Sequence, residues 1–435
     1  MKIYTVQSGD TVYSIARQNQ TTPSRIIIDN QLENPDRLTV GQSLVLLYPT
    51  QTHTVRGGET LFSIANMYNI SLNTLWRNNP SLSGGTYIYP GQTLNISYPE
   101  PPLGTAQVDG YAYPYIDREV LRTTLPFLTY LSIFSYGIRD DGSLIPPVGG
   151  DEELIALAKE YGAVPLLLLT SLGEDGTFSN ELANRVLTDP ALRASVIENA
   201  VNTVKNKGYG GVNVDFEFIP QQGAAEYPNF LRELRENLKT ERLVLLVSLA
   251  PKSSREQRGL LYEGHNYPAI GESADLALLM TYEWGYTYGP PLAVSPLPEM
   301  QRVVDYALTE IPAQKLLLGI PNYGYNWTLP YVRGESKAMS LSNVAALRLA
   351  GEKRAEIQFD SRAQTPYFTY YEYSSEQKKQ LEHVVWFDDA RSMDSKLRLV
   401  QQNGLSGIGV WNIMRYFPQL WLVLNALYRI EKMEQ

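Results

Sequence analysis

From about residue 105 onward, short apolar segments alternate with longer amphipathic ones, and this alternation constrains the fold more than any other feature of the 435-residue chain. Such alternation is typical of parallel βα units. The predicted strands cover residues 107–113, 128–135, 164–170, 211–218, 243–250, 276–281, 315–321 and 407–411. Helices are predicted between them at residues 152–161, 191–207, 228–239, 300–310 and 344–352. Eight units in some 330 residues predict an α/β fold, a (β/α)8 TIM barrel over residues 105–435.

The interval between the seventh and eighth predicted strands is much longer than the others. It contains aromatic-rich segments, notably residues 358–373 and 383–387. We therefore expect a small β-containing insertion between strands 7 and 8.

The fourth predicted strand carries polar residues where a buried strand is usually apolar. Side chains of an extended strand alternate between faces, so Asn213, Asp215 and Glu217 are expected on one face. The opposite face would carry Val212, Val214, Phe216 and Phe218. Carboxylates at the C-terminal end of a buried strand need a reason beyond packing. The spacing alone fits either a catalytic pair or a buried, ion-paired cluster.

Further polar and aromatic residues follow the sixth, seventh and eighth predicted strands. The C-terminal strand ends of such a barrel meet at one mouth, so these residues are expected to lie together. Aromatic faces stack on sugar rings and carboxylates act on the glycosidic oxygen, which makes the set typical of a sugar-cleaving site. Taken singly, an aromatic residue such as Tyr282 fits the core as well. The candidate substrate-binding residues are Asn213, Trp411, Tyr323, Asn322, Trp284 and Glu283.

The first hundred residues contain an internal repeat. The segment that begins YTVQSGDT at Tyr4 recurs as HTVRGGET at His53, and VGQSL at residues 40–44 recurs as PGQTL at residues 90–94. Each copy predicts a strand, a turn, two helices and a closing strand, which is a βααβ module. The modules are assigned to residues 1–48 and 51–98. The prolines of residues 99–104 favour extended backbone, so we expect a spacer that holds the modules off the barrel.

The composition excludes several classes of protein. A net charge of −9 without a basic stripe disfavours a nucleic-acid partner. The chain has no cysteine, and its three histidines are far apart, so neither a metal nor another cofactor is expected. The N-terminal residues lack a basic start followed by an apolar core, and no apolar run reaches the roughly 18 residues of a membrane span. We expect neither a conventional signal peptide nor a membrane span.

The repeats resemble the LysM domain in their Thr-Val, Gly-Asp-Thr, Ile-Ala, Asn and Pro-Gly-Gln motifs. LysM domains bind glycans that contain N-acetylglucosamine, and the resemblance implies the same here. A role limited to protein contacts is the alternative for the repeats, and helix capping is the alternative for the two asparagines. The implied sugar contacts are Gly9, Asp10, Thr11 and Asn30 in the first module and Gly58, Glu59, Thr60 and Asn79 in the second.

The stretch Val212-Asn-Val-Asp-Phe-Glu217 resembles the Asp-x-x-Asp-x-Asp-x-Glu signature of glycoside hydrolase family 18. Tyr282 in Met-Thr-Tyr and the strand-terminal Trp411 occupy the next most typical places of that family. Two positions depart from the signature, because Gly210 and Asn213 stand where it has Asp. With paired LysM repeats in front, the chain as a whole resembles the spore cortex-lytic N-acetylglucosaminidases of bacteria.

The resemblance implies substrate-assisted, retaining hydrolysis of β-1,4 bonds next to N-acetylglucosamine. Glu217 would be the general acid and base, while Asp215 and Tyr282 would hold the 2-acetamido group. The implied partner is peptidoglycan or a related N-acetylglucosamine polymer. Chitin hydrolysis and non-catalytic glycan binding on the same fold are the alternatives. A monomer located in the spore cortex or coat, or in the cell wall, is expected.

Overall fold

The computed structural model describes residues 1–375 and 377–432, and it begins with two small modules. The first contains β1 (Lys2–Thr5), α1 (Val12–Gln18), α2 (Pro23–Asp29) and β2 (Ser43–Leu46). The second contains β3 (Gln51–Thr54), α3 (Leu61–Met67), α4 (Leu72–Asn78) and β4 (Thr93–Ser97). The two strands of each module pair antiparallel. The predicted βααβ order is confirmed.

Strands and helices then alternate along the next two hundred or so residues, as the sequence predicted. The strands are β5 (Thr105–Ala112), β6 (Tyr130–Ile138), β7 (Leu144–Ile145), β8 (Val164–Thr170), β9 (Gly211–Asp215), β10 (Val244–Leu249), β11 (Leu276–Leu279) and β12 (Leu316–Pro321). The helices are α5 (Arg118–Thr124), α6 (Glu152–Glu160), α7 (Asn180–Thr188), α8 (Pro190–Lys207), α9 (Gln221–Ala224), α10 (Tyr227–Thr240), α11 (Tyr267–Ser273) and α12 (Leu297–Glu310). Within the described residues, no helix is long and apolar enough to cross a membrane.

A small α+β insertion follows β12, which confirms the prediction for this interval. It contains β13 (Tyr323–Leu329), β14 (Met339–Ser342), α13 (Asn343–Lys353), β15 (Gln358–Asp360), β16 (Thr365–Ser374) and β17 (Lys379–Trp386). Its strands form an antiparallel sheet in the order β14-β13-β17-β16-β15. The chain ends with α14 (Ala390–Gln402), β18 (Gly407–Trp411), α15 (Pro418–Leu427) and β19 (Arg429–Ile430), and β19 pairs with β5.

Eight parallel strands close into the predicted (β/α)8 barrel. They are hydrogen-bonded in the order β5-β6-β8-β9-β10-β11-β12-β18, and β18 returns to β5. Leucines from four of the barrel strands help to fill the interior, among them Leu168, Leu246, Leu278 and Leu317, all buried. The barrel is therefore a packed core, and space for a ligand opens only at the strand ends.

The fourth barrel strand is shorter than predicted. β9 ends at Asp215, so Glu217 and Phe218 lie in the segment that follows it. The expectation that Phe218 shares the apolar face of the strand is wrong, because this side chain lines the cavity at the barrel mouth and is 40% exposed. The alternation of faces stops where the backbone ceases to be extended. Phe216 is buried and stacks against Phe230 with ring centroids 5.6 Å apart.

The modules pack directly on the barrel, so the prediction that the proline-rich segment acts as a spacer is wrong. The Trp76 ring of the second module lies 4.9 Å from the ring of Tyr161 on the barrel. In the first module, the main-chain oxygen of Ser43 accepts a hydrogen bond of 2.7 Å from Gln419. Apolar residues of the second module belong to the same hydrophobic core as the residues that pack around the outside of the barrel strands. Burial of this surface favours docking over separation.

Candidate active site

A cavity of about 680 Å³ opens at the C-terminal ends of the barrel strands. Asp215 and Glu217 reach it from the end of β9, and Trp411 reaches it from the end of β18. The segment after β11 contributes Tyr282, Glu283 and Trp284, and β13 contributes Tyr323. Of the other predicted substrate-binding residues, Asn322 lines an adjoining cavity and Asn213 is fully buried in the barrel below.

Asp215 and Glu217 are both largely removed from water. Oδ1 of Asp215 has no hydrogen-bond partner among the residues that the structure describes. Burial, and then the charge of Glu217, raise the pKa of Asp215 well above its ordinary value. Burial, and then the charge of Glu283, raise the pKa of Glu217. When burial disfavours the charged form of two adjacent carboxyl groups, the pair can share a proton, and a protonated carboxyl can act as an acid.

His265 fixes the backbone of Glu217. The main-chain N–H of Ala250 donates to Nδ1 of His265 at 3.4 Å, which leaves the ring hydrogen on Nε2. Nε2 lies 3.0 Å from the main-chain oxygen of Glu217 and donates to it. Burial lowers the pKa of His265 to about 4, so the imidazole is neutral. Sequence reasoning weighed the histidines only as metal ligands and missed this contact, which joins positions 48 residues apart.

Asn213 is part of a buried network beneath Asp215. Its amide nitrogen donates to the Tyr111 hydroxyl at 2.8 Å and to Ser132 Oγ at 3.0 Å. Ser132 Oγ donates in turn to Oδ2 of Asp109 at 2.9 Å. Burial raises the pKa of Asp109 to about 7. Asn213 is thus linked through Ser132 to a carboxyl group on β5. Sequence reasoning missed Asp109, although an acidic residue inside an apolar strand was a signal.

Gly210, the second departure from the family signature, lies against β8. A Cβ atom at this position would come within 2.2 Å of Cγ1 of Val164. An aspartate therefore does not fit at Gly210 unless the Val164 side chain moves.

Glu283 lies on the cavity wall in a left-handed backbone conformation, with φ of 69°. This conformation is uncommon for residues other than glycine and often marks a functional position. The hydroxyl of Tyr325 donates to Oε1 of Glu283 at 3.1 Å, and the hydroxyl of Tyr323 donates to the same oxygen. The neighbouring Tyr282 has a pKa raised well above its usual value by burial and then by the charge of Asp215. Its hydroxyl therefore keeps its proton and can donate a hydrogen bond.

Aromatic rings form the remaining wall of the cavity. Trp411 packs edge-on against Tyr111 at 5.7 Å and against Phe134 at 5.4 Å, measured between ring centroids. Tyr113 stacks on Tyr115 at 5.2 Å. In the part of the chain that is described, no group of three or more His, Asp or Glu side chains is placed to hold a metal ion.

The predicted glycan contacts at the module turns also have local structural roles. Gly9 and Gly58 both have φ of +85°, a conformation that favours glycine. Asp10 accepts a hydrogen bond from the main-chain N–H of Gln7 at 2.8 Å, and Glu59 accepts the equivalent bond from Arg56 at 2.7 Å. The threonines that follow, Thr11 and Thr60, cap α1 and α3 through capping boxes.

The two predicted asparagines join a helix to the closing strand in each module. Asn30 is buried, and its amide nitrogen donates to the oxygens of Ile26 and Val45 at 3.1 and 2.9 Å. Asn79 makes the same pair of bonds to Leu75 and Asn95, at 2.9 and 2.8 Å. Each asparagine already donates both of its amide hydrogens to main-chain oxygens. A sugar bound near these positions would therefore have to be held by residues of the surrounding loops.

The barrel mouth has the buried carboxyl pair and the aromatic wall that are typical of a glycoside hydrolase. The sequence matches Glycosyl hydrolases family 18 over residues 133–415 and the LysM domain over residues 4–46 and 53–97. The chain therefore belongs to glycosyl hydrolases family 18 and carries two LysM domains.

The chain is similar to several known proteins, two of which match it over nearly its whole length. A protein named cortical fragment-lytic enzyme from Bacillus subtilis (strain 168) is 37% identical, and the match covers 99% of each chain. The crystal structure of the Bacillus megaterium QM B1551 spore cortex-lytic enzyme SleL is similar with a TM-score of 0.82 and 34% identity over 99% of both chains. The putative sporulation-specific glycosylase ydhD from Bacillus subtilis is similar with a TM-score of 0.60 and 32% identity, over 65% of this chain and 90% of that one.

Proposed function

We propose that the protein hydrolyses β-1,4 glycosidic bonds next to N-acetylglucosamine in peptidoglycan, with spore cortex fragments as the expected substrate. The observation that carries this proposal is the pair Asp215 and Glu217 in one cavity, both with a raised pKa. The names of the full-length relatives support the choice of cortex glycan. In this proposal the LysM modules hold the same polymer, and the protein acts in the spore or the cell wall.

The proposed chemistry begins with Glu217 in its protonated form. Glu217 donates a proton to the glycosidic oxygen as the bond to the anomeric carbon breaks. The carbonyl oxygen of the substrate's own 2-acetamido group forms a bond to that carbon and gives an oxazolinium ion. Glu217, now a carboxylate, removes a proton from water as the water oxygen forms a bond to the anomeric carbon. The bond from that carbon to the acetamido oxygen breaks, which regenerates the acetamido group with net retention of configuration. The nucleophile is already held beside the carbon, so no protein nucleophile is needed.

The neighbouring groups orient and stabilise the acetamido group. Oδ1 of Asp215 has no partner among the described residues, and the acetamido N–H would donate to it. The Asp215 carboxylate then lies beside the positive charge that develops on the oxazolinium ion. The Tyr282 hydroxyl donates to the acetamido oxygen, and Trp411 forms the floor under the sugar ring. Glu283, Tyr323 and Trp284 lie where they would contact adjoining sugars.

Chitin is the second candidate polymer, because the same chemistry needs only a 2-acetamido group on the cleaved side. Release of reducing ends from peptidoglycan fragments and from chitin oligomers separates the two substrates. Turnover of neither polymer by the wild-type protein contradicts the proposed function and favours glycan binding without catalysis.

Substitution of Glu217 tests the mechanism. We expect Glu217→Gln to abolish hydrolysis and to leave glycan binding largely intact. Glu241→Gln is a matched control, since Glu241 follows α10 at the opposite end of the barrel and pairs with Lys205. We expect Asp215→Asn to slow the reaction at least about ten-fold, or roughly 1.4 kcal/mol of barrier. Full turnover by Glu217→Gln contradicts the assigned acid, and a smaller effect of Asp215→Asn contradicts the role of Asp215.

A further inference from the structure

The catalytic cavity adjoins a second cavity, which adjoins a third, and we call the three together the groove. Glu283, Tyr323 and Trp411 line both the catalytic cavity and a second cavity of about 720 Å³. Arg348 and Tyr416 line both the second cavity and a third one of about 420 Å³. The third cavity lies between α13 of the insertion and the first LysM module, whose residues 30–34 form part of its wall. The groove therefore runs from the carboxyl pair to the first module.

The middle of this groove is basic although the protein as a whole is acidic. Its lining contains two guanidinium groups, those of Arg348 and Arg415, and one carboxyl group, that of Glu283. Glu283 lies at the catalytic end, where Tyr323 and Tyr325 donate hydrogen bonds to it. The net charge of the whole chain is −9, so this reversal of sign is local.

Neither guanidinium group is neutralised by a close ion pair. The exposed side chain of Arg415 has no ion pair or hydrogen bond with any residue that the structure describes. Arg348 is 53% exposed, and its Nη1 lies 3.9 Å from Oε2 of Glu33, at the limit of an ion pair. The backbone that carries Arg415 is nevertheless held in place, because Nδ2 of Asn322 donates to its main-chain oxygen at 2.9 Å.

Tyr416 gives independent support for a ligand in the groove. Its side chain lines both the second and third cavities, and burial raises the pKa of its hydroxyl. This hydroxyl has no hydrogen-bond partner among residues 1–375 and 377–432. A buried hydroxyl without a partner is costly unless a ligand supplies one.

We propose that the groove binds the glycan strand beyond the cleaved bond and that Arg348 and Arg415 select carboxylate-bearing sugars. The carboxylate is that of an N-acetylmuramic acid lactyl group or of a short peptide attached to it. Guanidinium groups bind carboxylates through strong, charge-assisted hydrogen bonds, whereas a neutral chitin strand offers them none. The inference rests on the proposed function and extends it, since it names the feature that distinguishes peptidoglycan from chitin at this site.

Binding in the Glu217→Gln background tests the inference without hydrolysis. Calorimetry would compare three probes of equal sugar number: peptide-free oligomers of alternating N-acetylglucosamine and N-acetylmuramic acid, the same oligomers with a short peptide on each lactyl group, and chitin oligomers. We expect the double change Arg348→Gln and Arg415→Gln to weaken binding of one or both carboxylate-bearing probes at least about ten-fold. Binding of chitin oligomers should change less than two-fold. The probe that loses affinity identifies the source of the carboxylate.

Arg354→Gln is the matched control. Arg354 comes directly after α13, the helix that contains Arg348, and it does not line the groove. We expect it to leave the affinity for all three probes unchanged. Equal losses for charged and neutral probes, or no loss for either charged probe, overturn the inference. Unchanged chitin binding shows that the double variant is folded. Absence of hydrolysis by the wild-type protein overturns the proposed function instead. The binding measurements still decide whether the groove prefers charged probes.

Discussion

Nε2 of His265 donates a hydrogen bond to the main-chain oxygen of Glu217, with 3.0 Å between the two atoms. Extended pairing of β9 ends at Asp215, so this bond holds Glu217, the proposed acid, where the sheet no longer does. His265 is fully buried and neutral, and it does not line the catalytic cavity. It is therefore a positioning residue.

Substitution of His265 is expected to affect the rate more than substrate binding. His265→Leu removes the donor to Glu217, and we expect kcat to fall at least about ten-fold with KM changed less than three-fold. His265→Gln can donate from its side-chain amide and should recover part of the rate. Steady-state kinetics on peptidoglycan fragments, with thermal unfolding as a measure of folding, would show this. Equal loss in both variants would mean that the imidazole acts only through packing.

The same histidine makes stability depend on pH. The pKa of His265 in the folded protein is about 4, below the roughly 6.5 of an unfolded chain. The unfolded state therefore binds more protons between these values, and the free energy of unfolding should fall as pH drops from about 6.5 to 4. Denaturant titrations across this range should show a shallower decline for His265→Leu than for the wild-type protein. Parallel curves would contradict the assignment.

The charge of Glu283 is expected to shift the alkaline limit of activity. Its negative charge favours the protonated form of Glu217, so Glu283→Gln is expected to lower the pKa of Glu217. The alkaline limb of the kcat/KM profile should then move to lower pH. Glu299→Gln serves as the control, because Glu299 also lines the cavity but pairs with Arg302 at 3.0 Å. An unmoved limb in Glu283→Gln, or an equal shift in both variants, would show that Glu283 does not tune the acid.

The amide at position 213 and the carboxyl group at position 109 are expected to be interchangeable only when both residues are changed together. Asn213→Asp places a second carboxyl group against Ser132, which already donates to Asp109 at 2.9 Å, and it removes the amide donor to Tyr111. We expect a loss of about 2 kcal/mol or more in the free energy of unfolding at pH 7. Adding Asp109→Asn restores one carboxyl and one amide to the network and should recover much of that loss. Chemical denaturation of the two single variants and the double variant measures the coupling, and additive effects would contradict it.

Periodicity and repetition were enough to predict the barrel, its insertion and the two modules, because these depend on local patterns of apolar residues. The pair Asp215 and Glu217 stood out for the same reason, as polar residues in an apolar strand. Phe218 was placed wrongly because its orientation depends on where β9 ends. His265 and Asp109 act through contacts between distant segments, which a single sequence does not specify. Docking of the modules was missed because an apolar module face does not indicate its partner.

Docking of the first module is expected to be sensitive to one glycine. Gly41 and Gly91 occupy equivalent positions in the two repeats, with φ of +82° and +89°. Alanine is strained at both, at a cost of about 1 to 2 kcal/mol. A Cβ at Gly41 would also lie 1.8 Å from the main-chain oxygen of Ile357, whereas nothing lies within 4 Å of a Cβ at Gly91. Gly41→Ala should therefore destabilise the protein more than Gly91→Ala.

Hydrogen exchange can separate loss of docking from strain within the module. The main-chain N–H of Ile357 donates to the oxygen of Val40 at 3.0 Å, so its protection reports directly on the contact between the first module and the insertion. We expect Gly41→Ala to lower protection of this amide at least about ten-fold, since its local opening free energy falls when the contact is broken. Gly91→Ala should leave it unchanged. Unaltered protection of Ile357 in Gly41→Ala would show that the module and the insertion adjust to the added methyl group without separating.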